Sequence, residues 1–89
     1  MSSPLRLDPA AEAELDRLEK AGRAVLLERI EDALDELAAD PGGRNSRRRA
    51  FRGGTFGITV RDPDQDWLVI WEPGEEVIGV RYIGPDPFA

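Results

Sequence analysis

The chain has 89 residues, with 12 Lys and Arg against 18 Asp and Glu, a formal net charge of −6, and neither cysteine nor histidine. This length predicts one small domain over residues 1–89. The lack of cysteine excludes disulfides and thiolate metal sites, and the lack of histidine removes the commonest general base and zinc ligand. The apolar runs are too short to span a membrane, and the N-terminus lacks the apolar stretch of a signal peptide. We therefore expect a cytoplasmic protein with no metal, no cofactor and no membrane contact.

Helical periodicity dominates the first forty residues. A short alternating segment, Leu5–Leu7, predicts an edge strand. Asp8 followed by Pro9 is a typical helix start, because an N-cap oxygen precedes a proline at the first helical position. Apolar residues then recur at helical spacing on both sides of Gly22, up to an Asp-Pro-Gly-Gly stop. This part of the chain predicts either one long helix or a helical hairpin bent within residues 20–23.

The period of the pattern changes to two after the glycine pair at 53–54. Residues 55–61 alternate, and residues 67–71 are a continuous apolar run typical of a central strand. Residues 77–83 alternate again, with Tyr82 on the face that carries the apolar side chains. Two helical segments before a three-strand meander predict an α+β domain, in which a short N-terminal strand and a two-helix hairpin pack on an antiparallel sheet.

Positive charge is concentrated in one segment. Between Gly43 and Arg61 the chain has six arginines and no acid, whereas residues 1–42 hold eleven acids against five basic groups, and residues 62–89 seven against one. Arginine suits bidentate contact with phosphate or carboxylate, so the segment predicts a surface for RNA or for an acidic partner protein. The alternative is a solvated loop whose arginines pair with the acidic helices. The arginines of this predicted surface are Arg44, Arg47, Arg48, Arg49 and Arg52.

Two arginines on the predicted strands are candidates for chemistry. If their strands share an inner face, Arg61 and Arg81 both project from the sheet face away from the helices. There they would hold a phosphodiester and stabilise the charge of a pentavalent transition state. Tyr82 is a candidate acid or stacking group, although a tyrosine that alternates with aliphatic residues is more often part of a core. The alternative is that each arginine caps a turn acid, such as Asp62 or Asp86.

The whole layout resembles the RelE/ParE toxin superfamily. The order of a short strand, a helical hairpin and a three-strand meander is similar. So are four local phrases, DPAAEAELDRL, IEDALDELAADP, FGITVRDPDQDWLVIWEP and VIGVRYIGPDPF. The resemblance implies a toxin of a bacterial type II toxin–antitoxin system, with a cognate antitoxin as its partner. RelE-like members cut messenger RNA in the ribosomal A site without a metal, and ParE-like members inhibit DNA gyrase.

The chain has few of the residues that a RelE-like active site uses. That site uses basic residues on the second and third strands, and a basic group with a tyrosine or histidine after the last strand. The matching positions are not basic here: they are Gly57, Thr59, Leu68, Asp86 and Phe88. Enzymatic activity is therefore left open by the sequence.

Two functions fit the resemblance. The first is a metal-independent endoribonuclease in which Arg61 and Arg81 hold the phosphate, Tyr82 is a candidate acid, and the arginine segment follows the RNA backbone. The second is a non-enzymatic binding module of the same fold. It would be a ParE-like gyrase inhibitor or an inactive toxin relative held by an acidic antitoxin.

Overall fold

The computed structural model describes residues 3–88, which form two helices and five strands. In chain order the elements are β1 (Leu5–Leu7), α1 (Pro9–Lys20), α2 (Ala24–Ala39), β2 (Arg49–Phe51), β3 (Thr55–Val60), β4 (Trp67–Glu72) and β5 (Ile78–Pro85). The strands form one sheet in the order β1-β5-β4-β3-β2. The predicted α+β class is confirmed.

The first forty residues form a hairpin of two helices, not one long helix. Helix α1 starts at Pro9 after Asp8, as the sequence predicts. At its end Gly22 has a φ of +72°, a left-handed conformation that favours glycine. The N–H of Arg23 donates back to the main-chain oxygen of Leu18 at 3.0 Å, the six-to-one bond of a Schellman motif. The glycine therefore stops α1 and lets the chain reverse into α2.

Strand β1 makes the sheet mixed. Leu5–Leu7 pairs in parallel with Ile78–Val80 of β5, whereas the other described strand pairs are antiparallel. The prediction of a purely antiparallel sheet is wrong at this edge. A three-residue strand carries no signal of its direction in its sequence. The parallel pairing is possible because the helical hairpin and three strands separate β1 from β5 along the chain.

Strand β2 adds a fourth strand to the predicted three-strand meander. Arg49–Phe51 pairs antiparallel with Thr55–Gly57 across a turn in which Gly53 and Gly54 have φ of +82° and +78°. The sequence predicts a loop here because Arg-Ala-Phe is too short and too charged for a period-two pattern. Strand β2 covers only the first half of β3. The outer edge of residues 58–60 therefore has no strand partner in the part of the chain described.

A β-bulge changes which side chains of β5 face the core. The register against β4 shifts beside Trp71, which pairs with Val80, so that Arg81 has no partner residue. The extra residue places Ile83 in the core and leaves Tyr82 outside it. The prediction that Tyr82 shares the face of Val80 is therefore wrong, because a bulge shifts the alternation by one without a mark in the sequence.

The hydrophobic core lies between the two helices and one face of the sheet. From α2 it takes a stripe at helical spacing, and from β4 alternate residues that include both tryptophans. Neither helix within residues 3–88 is long and apolar enough to cross a membrane. The main core residues are Leu18, Leu26, Ile30, Leu34, Leu37, Val60, Trp67, Val69, Trp71, Ile78, Val80 and Ile83.

Candidate functional site

A cleft of about 460 Å³ lies between α2 and the open edge of β3, and is called here the edge cleft. One wall is formed by α2 side chains from Arg29 to Glu36, and the other by β3 from Gly57 to its end. Asn45 and Arg48 belong to the loop that closes the cleft. The cleft exists because β2 is too short to cover all of β3. It therefore combines a free strand edge with polar side chains.

Two arginines of the edge cleft have no ion pair with a described carboxylate. Arg29 donates to the main-chain oxygen of Arg61 at 3.0 Å, and Arg48 donates to Oδ1 of Asn45 at 3.4 Å. The cleft is also lined by Arg49 and Arg61, which are each paired with an acid. Two acids, Asp32 and Glu36, stand on the α2 wall. The positive charge that a ligand can use therefore belongs mainly to Arg29 and Arg48.

The arginine segment divides into structural and open members. Nε of Arg47 donates to the main-chain oxygen of Pro41 at 3.0 Å, and its guanidinium lies 4.8 Å from the ring centroid of Phe56. Arg49 lies in β2 and pairs with a distant carboxylate. Among residues 3–88, the exposed members without an ion pair are Arg44, Arg47, Arg48 and Arg52. Of these four, Arg47 is held in place by the cation–π contact and by the hydrogen bond to a main-chain oxygen.

The loop that carries Arg48 is anchored on the core by a hydrogen bond that the sequence does not reveal. The indole N–H of Trp71, which is fully buried, donates to the main-chain oxygen of Ser46 at 2.8 Å. Ser46 is itself buried, and its hydroxyl donates to the main-chain oxygen of Asp40 at 3.0 Å. A serine among arginines gives no signal of such a role. These bonds fix the loop at the end of the edge cleft.

The two candidate catalytic arginines lie at opposite ends of β4. Arg61 follows β3 and donates to Asp66, just before β4, at 3.2 Å, with 84% of its side chain exposed. Arg81 stands at the bulge of β5 and pairs with Glu72, at the far end of β4, and with Asp8. The two acids, Asp66 and Glu72, are six positions apart along an extended chain, a span of about 20 Å. The geometry does not bring the two guanidinium groups to one phosphate.

Arg61 and Arg81 do pair with acids, but these acids are not Asp62 and Asp86, the two that the sequence suggested. Asp62 accepts a hydrogen bond from Arg23 at 3.1 Å instead of from Arg61. Asp86 accepts one from Arg49 instead of from Arg81. Within residues 3–88, no three acidic side chains are grouped so that they would hold a metal ion.

The hydroxyl of Tyr82 is already engaged. It donates to the main-chain oxygen of Pro85 at 2.7 Å. Burial, together with the negative charges of Glu14 and Asp86, raises the pKa of the Tyr82 phenol above its ordinary value. At neutral pH the group is therefore a protonated donor that holds the end of β5.

No protein-family model, curated protein or solved structure matches this chain. Inference about its function therefore depends on the geometry and charge of its own residues.

Proposed function

We propose that this protein is the toxin-like component of a bacterial type II toxin–antitoxin pair, with a RelE/ParE-like fold, and that it works as a non-enzymatic binding module. In this proposal the edge cleft holds an extended, acidic segment of the cognate antitoxin. One observation carries the proposal: an unpaired strand edge lies beside two arginines, Arg29 and Arg48, that have no ion pair with a described carboxylate.

The strand edge would provide main-chain affinity. An open edge presents N–H and C=O groups with which an extended peptide can pair, and such pairing is a common mode of peptide recognition. Here the open stretch is three residues, 58–60, because β2 covers the edge before it. Beyond this stretch, the main-chain oxygen of Arg61 already accepts a hydrogen bond from Arg29. A stretch this short requires side-chain contacts for the remaining affinity.

The distribution of charge would select an acidic segment and orient it. With a net charge of −6, the protein repels acidic partners at most of its surface, so a local excess of arginine decides where one can dock. Asp32 and Glu36 on the α2 wall disfavour carboxylates beside the helix. The acids of the partner would therefore lie toward the loop that carries Arg48 and, four residues before it, the exposed Arg44.

Ribosome-dependent cleavage of messenger RNA is the competing proposal. The exposed arginines Arg44, Arg48 and Arg52 support it, because unpaired guanidinium groups bind an RNA backbone. The separation of Arg61 from Arg81 and the bond of Tyr82 to a main-chain oxygen argue against it. ParE-like inhibition of DNA gyrase is a third possibility, and the growth experiment below separates it from the others.

A charge-reversal pair tests the edge cleft. The partner is the protein encoded by the adjacent reading frame, and its affinity is measured by calorimetry. Arg29→Glu with Arg48→Glu should weaken binding by at least about 10-fold, with a smaller loss at high salt. Arg6→Glu with Lys20→Glu makes the same charge change at exposed residues outside the cleft, and should leave affinity within about 3-fold. Equal losses of affinity in both double variants would refute the proposal that the edge cleft binds the partner.

A growth experiment tests the toxin assignment and its mechanism. Induction of the protein alone should slow growth, and the adjacent protein should restore it. Intact messenger RNA supports the binding module, whereas cuts within ribosomes that disappear with Arg61→Ala or Arg81→Ala establish the nuclease. Induction of the DNA-damage response identifies gyrase as the target. Unchanged growth would show that the toxin assignment is wrong.

A further inference from the structure

The tail of the chain folds back over the sheet face that the helices leave open. Oδ2 of Asp86 accepts a hydrogen bond from Nη1 of Arg49 at 2.7 Å, and only 6% of the Asp86 side chain is exposed. The same nitrogen of Arg49 lies 3.3 Å from the hydroxyl oxygen of Thr59 and donates to it. The carboxylate of Asp86 thus occupies a charged position built by two strands, β2 and β3.

Two aromatic rings complete the position. The ring centroids of Phe51 and Phe88 are 5.4 Å apart, and the Arg49 guanidinium lies 5.5 Å and 5.8 Å from them. Phe51 lies across Gly57, where an added Cβ would come within 2.7 Å of Cε2 of the ring. The absence of a side chain at Gly57 therefore creates the seat for Phe51. Arg49 meets a carboxylate and two rings, a combination that recognises an acidic and aromatic ligand.

Residues 86–88, called here the tail, make few contacts with the rest of the protein. Phe88 is 62% exposed although its ring meets Phe51. Besides the Arg49 bond, the N–H of Asp86 donates to the main-chain oxygen of Asp66 at 2.9 Å. Segments with few buried contacts open at low free-energy cost. The tail can therefore leave while the sheet stays folded.

We propose that Arg49, Thr59 and Phe51 form a binding site for an acidic–aromatic peptide segment, and that residues 86–88 occupy it as an intramolecular competitor. The ligand is a partner segment in which an aromatic ring follows a carboxylate by two residues, as Phe88 follows Asp86. Arg49 and Thr59 also line the edge cleft, so displacement of the tail frees Arg49 toward that cleft. The inference stands without the toxin–antitoxin proposal, because it depends only on the contacts of the tail.

Because the tail is tethered beside the site, the affinity of the site for a free peptide is best measured when the tail is weakened. The tail follows directly from β5, so its effective concentration at the site is on the order of millimolar or higher. One charge-assisted hydrogen bond and one aromatic pair give a free peptide a dissociation constant on the order of 1 mM. A free peptide therefore competes with the docked tail and binds more tightly when the tail is weakened.

The experiment uses a blocked pentapeptide with the sequence of residues 84–88 as the probe. Binding is followed by ¹⁵N NMR in the full chain and in a variant with Asp86→Asn and Phe88→Ala. Because the effective concentration of the tail is at or above the dissociation constant of the free peptide, the variant should bind the peptide at least about 2-fold more tightly than the unchanged protein, with shifts centred on Arg49. Adding Arg49→Gln should abolish binding, and a peptide with asparagine in place of the aspartate should not bind. The variant Asp64→Asn removes the same charge from an exposed turn acid and should behave as the unchanged protein.

Three results would overturn the proposal: no binding by the opened variant, equal binding by the unchanged protein, or equal binding of the asparagine peptide. If the double variant does not fold, Phe88→Ala alone is used. This change keeps the ion pair of Asp86 and should give an intermediate affinity. No gain of affinity in that variant over the unchanged protein would equally refute the site.

Discussion

Replacement of Trp71 by phenylalanine tests whether the arginine-bearing loop is held on the core by a single hydrogen bond. The indole N–H of Trp71 donates to the main-chain oxygen of Ser46. Trp67 provides a matched control on the same strand, because it is 4% exposed and its side chain makes no hydrogen bond to a described residue. No side-chain nitrogen or oxygen within residues 3–88 is buried without a partner, so the Trp67 N–H reaches solvent. Both substitutions remove similar apolar area.

The difference in free energy of unfolding between the two variants measures the contribution of the hydrogen bond from Trp71 to Ser46. Trp71→Phe leaves a buried carbonyl without its donor, which costs about 1–3 kcal/mol beyond the loss shared with Trp67→Phe. A domain of 89 residues has a free energy of unfolding of about 4–13 kcal/mol, so this cost is a substantial part of the total. Loss of the bond should also free the loop that carries Arg48.

Urea unfolding followed by far-ultraviolet circular dichroism is the assay, because it does not depend on tryptophan fluorescence. The midpoint of Trp71→Phe should lie about 0.8–2.5 M below that of Trp67→Phe, for an m value of about 1.2 kcal/mol/M. Midpoints that agree within about 0.2 M would refute the reasoning, since the bond would then contribute nothing measurable.

Three further changes have defined outcomes. Hydrogen bonds from Arg49 and from the main-chain N–H of Phe88 lower the pKa of Asp86. The contribution of Asp86 to the stability of the folded protein is therefore complete above the ordinary carboxyl pKa of about 3.9, and is lost as the pH falls through the lowered value. An acid titration followed by NMR should show the tail undocking in that range, and Asp86→Asn should remove the pH dependence. Gly57→Ala should destabilise the protein by about 1–3 kcal/mol in thermal unfolding, because the added Cβ displaces Phe51. The control is Gly42→Ala, whose added Cβ would meet no atom within 4 Å and which should be neutral or slightly stabilising. The single tyrosine, Tyr82, should ionise above its usual pH in an absorbance titration and return to about 10 in urea; ionisation near 10 in the folded protein would contradict its burial.

The helices and the three long strands were predictable because their signals are local. Asp8 and Pro9 mark the start of α1, and Gly22 marks the bend, although the choice between a hairpin and a long helix needed the structure. The apolar run that begins at Trp67 predicts the central strand correctly. In contrast, the direction of β1 and the existence of β2 depend on pairing with distant residues, which three-residue segments do not encode.

The sequence pointed to several arginines of the candidate site but not to their arrangement. The arginine segment does contribute to the edge cleft through Arg48 and Arg49, together with Arg61 just after β3. Its other wall comes from α2, whose Arg29 has nothing in its local sequence to distinguish it. The bulge at Arg81 moved Tyr82 out of the core, and the alternation of β5 gives no sign of it.

By itself the sequence determined the class of fold, the concentration of arginine between two acidic regions, and the chemistry of the ligands that arginine can hold. Only the tertiary structure decided which arginines are already paired. The partner of Arg49 lies 37 residues away, that of Trp71 lies 25 away, and Arg81 pairs with an acid 73 residues before it. Helix and strand periodicity reflect neighbours within a few residues, whereas the charge that a site can offer depends on ion pairs that close only when the sheet and helices pack.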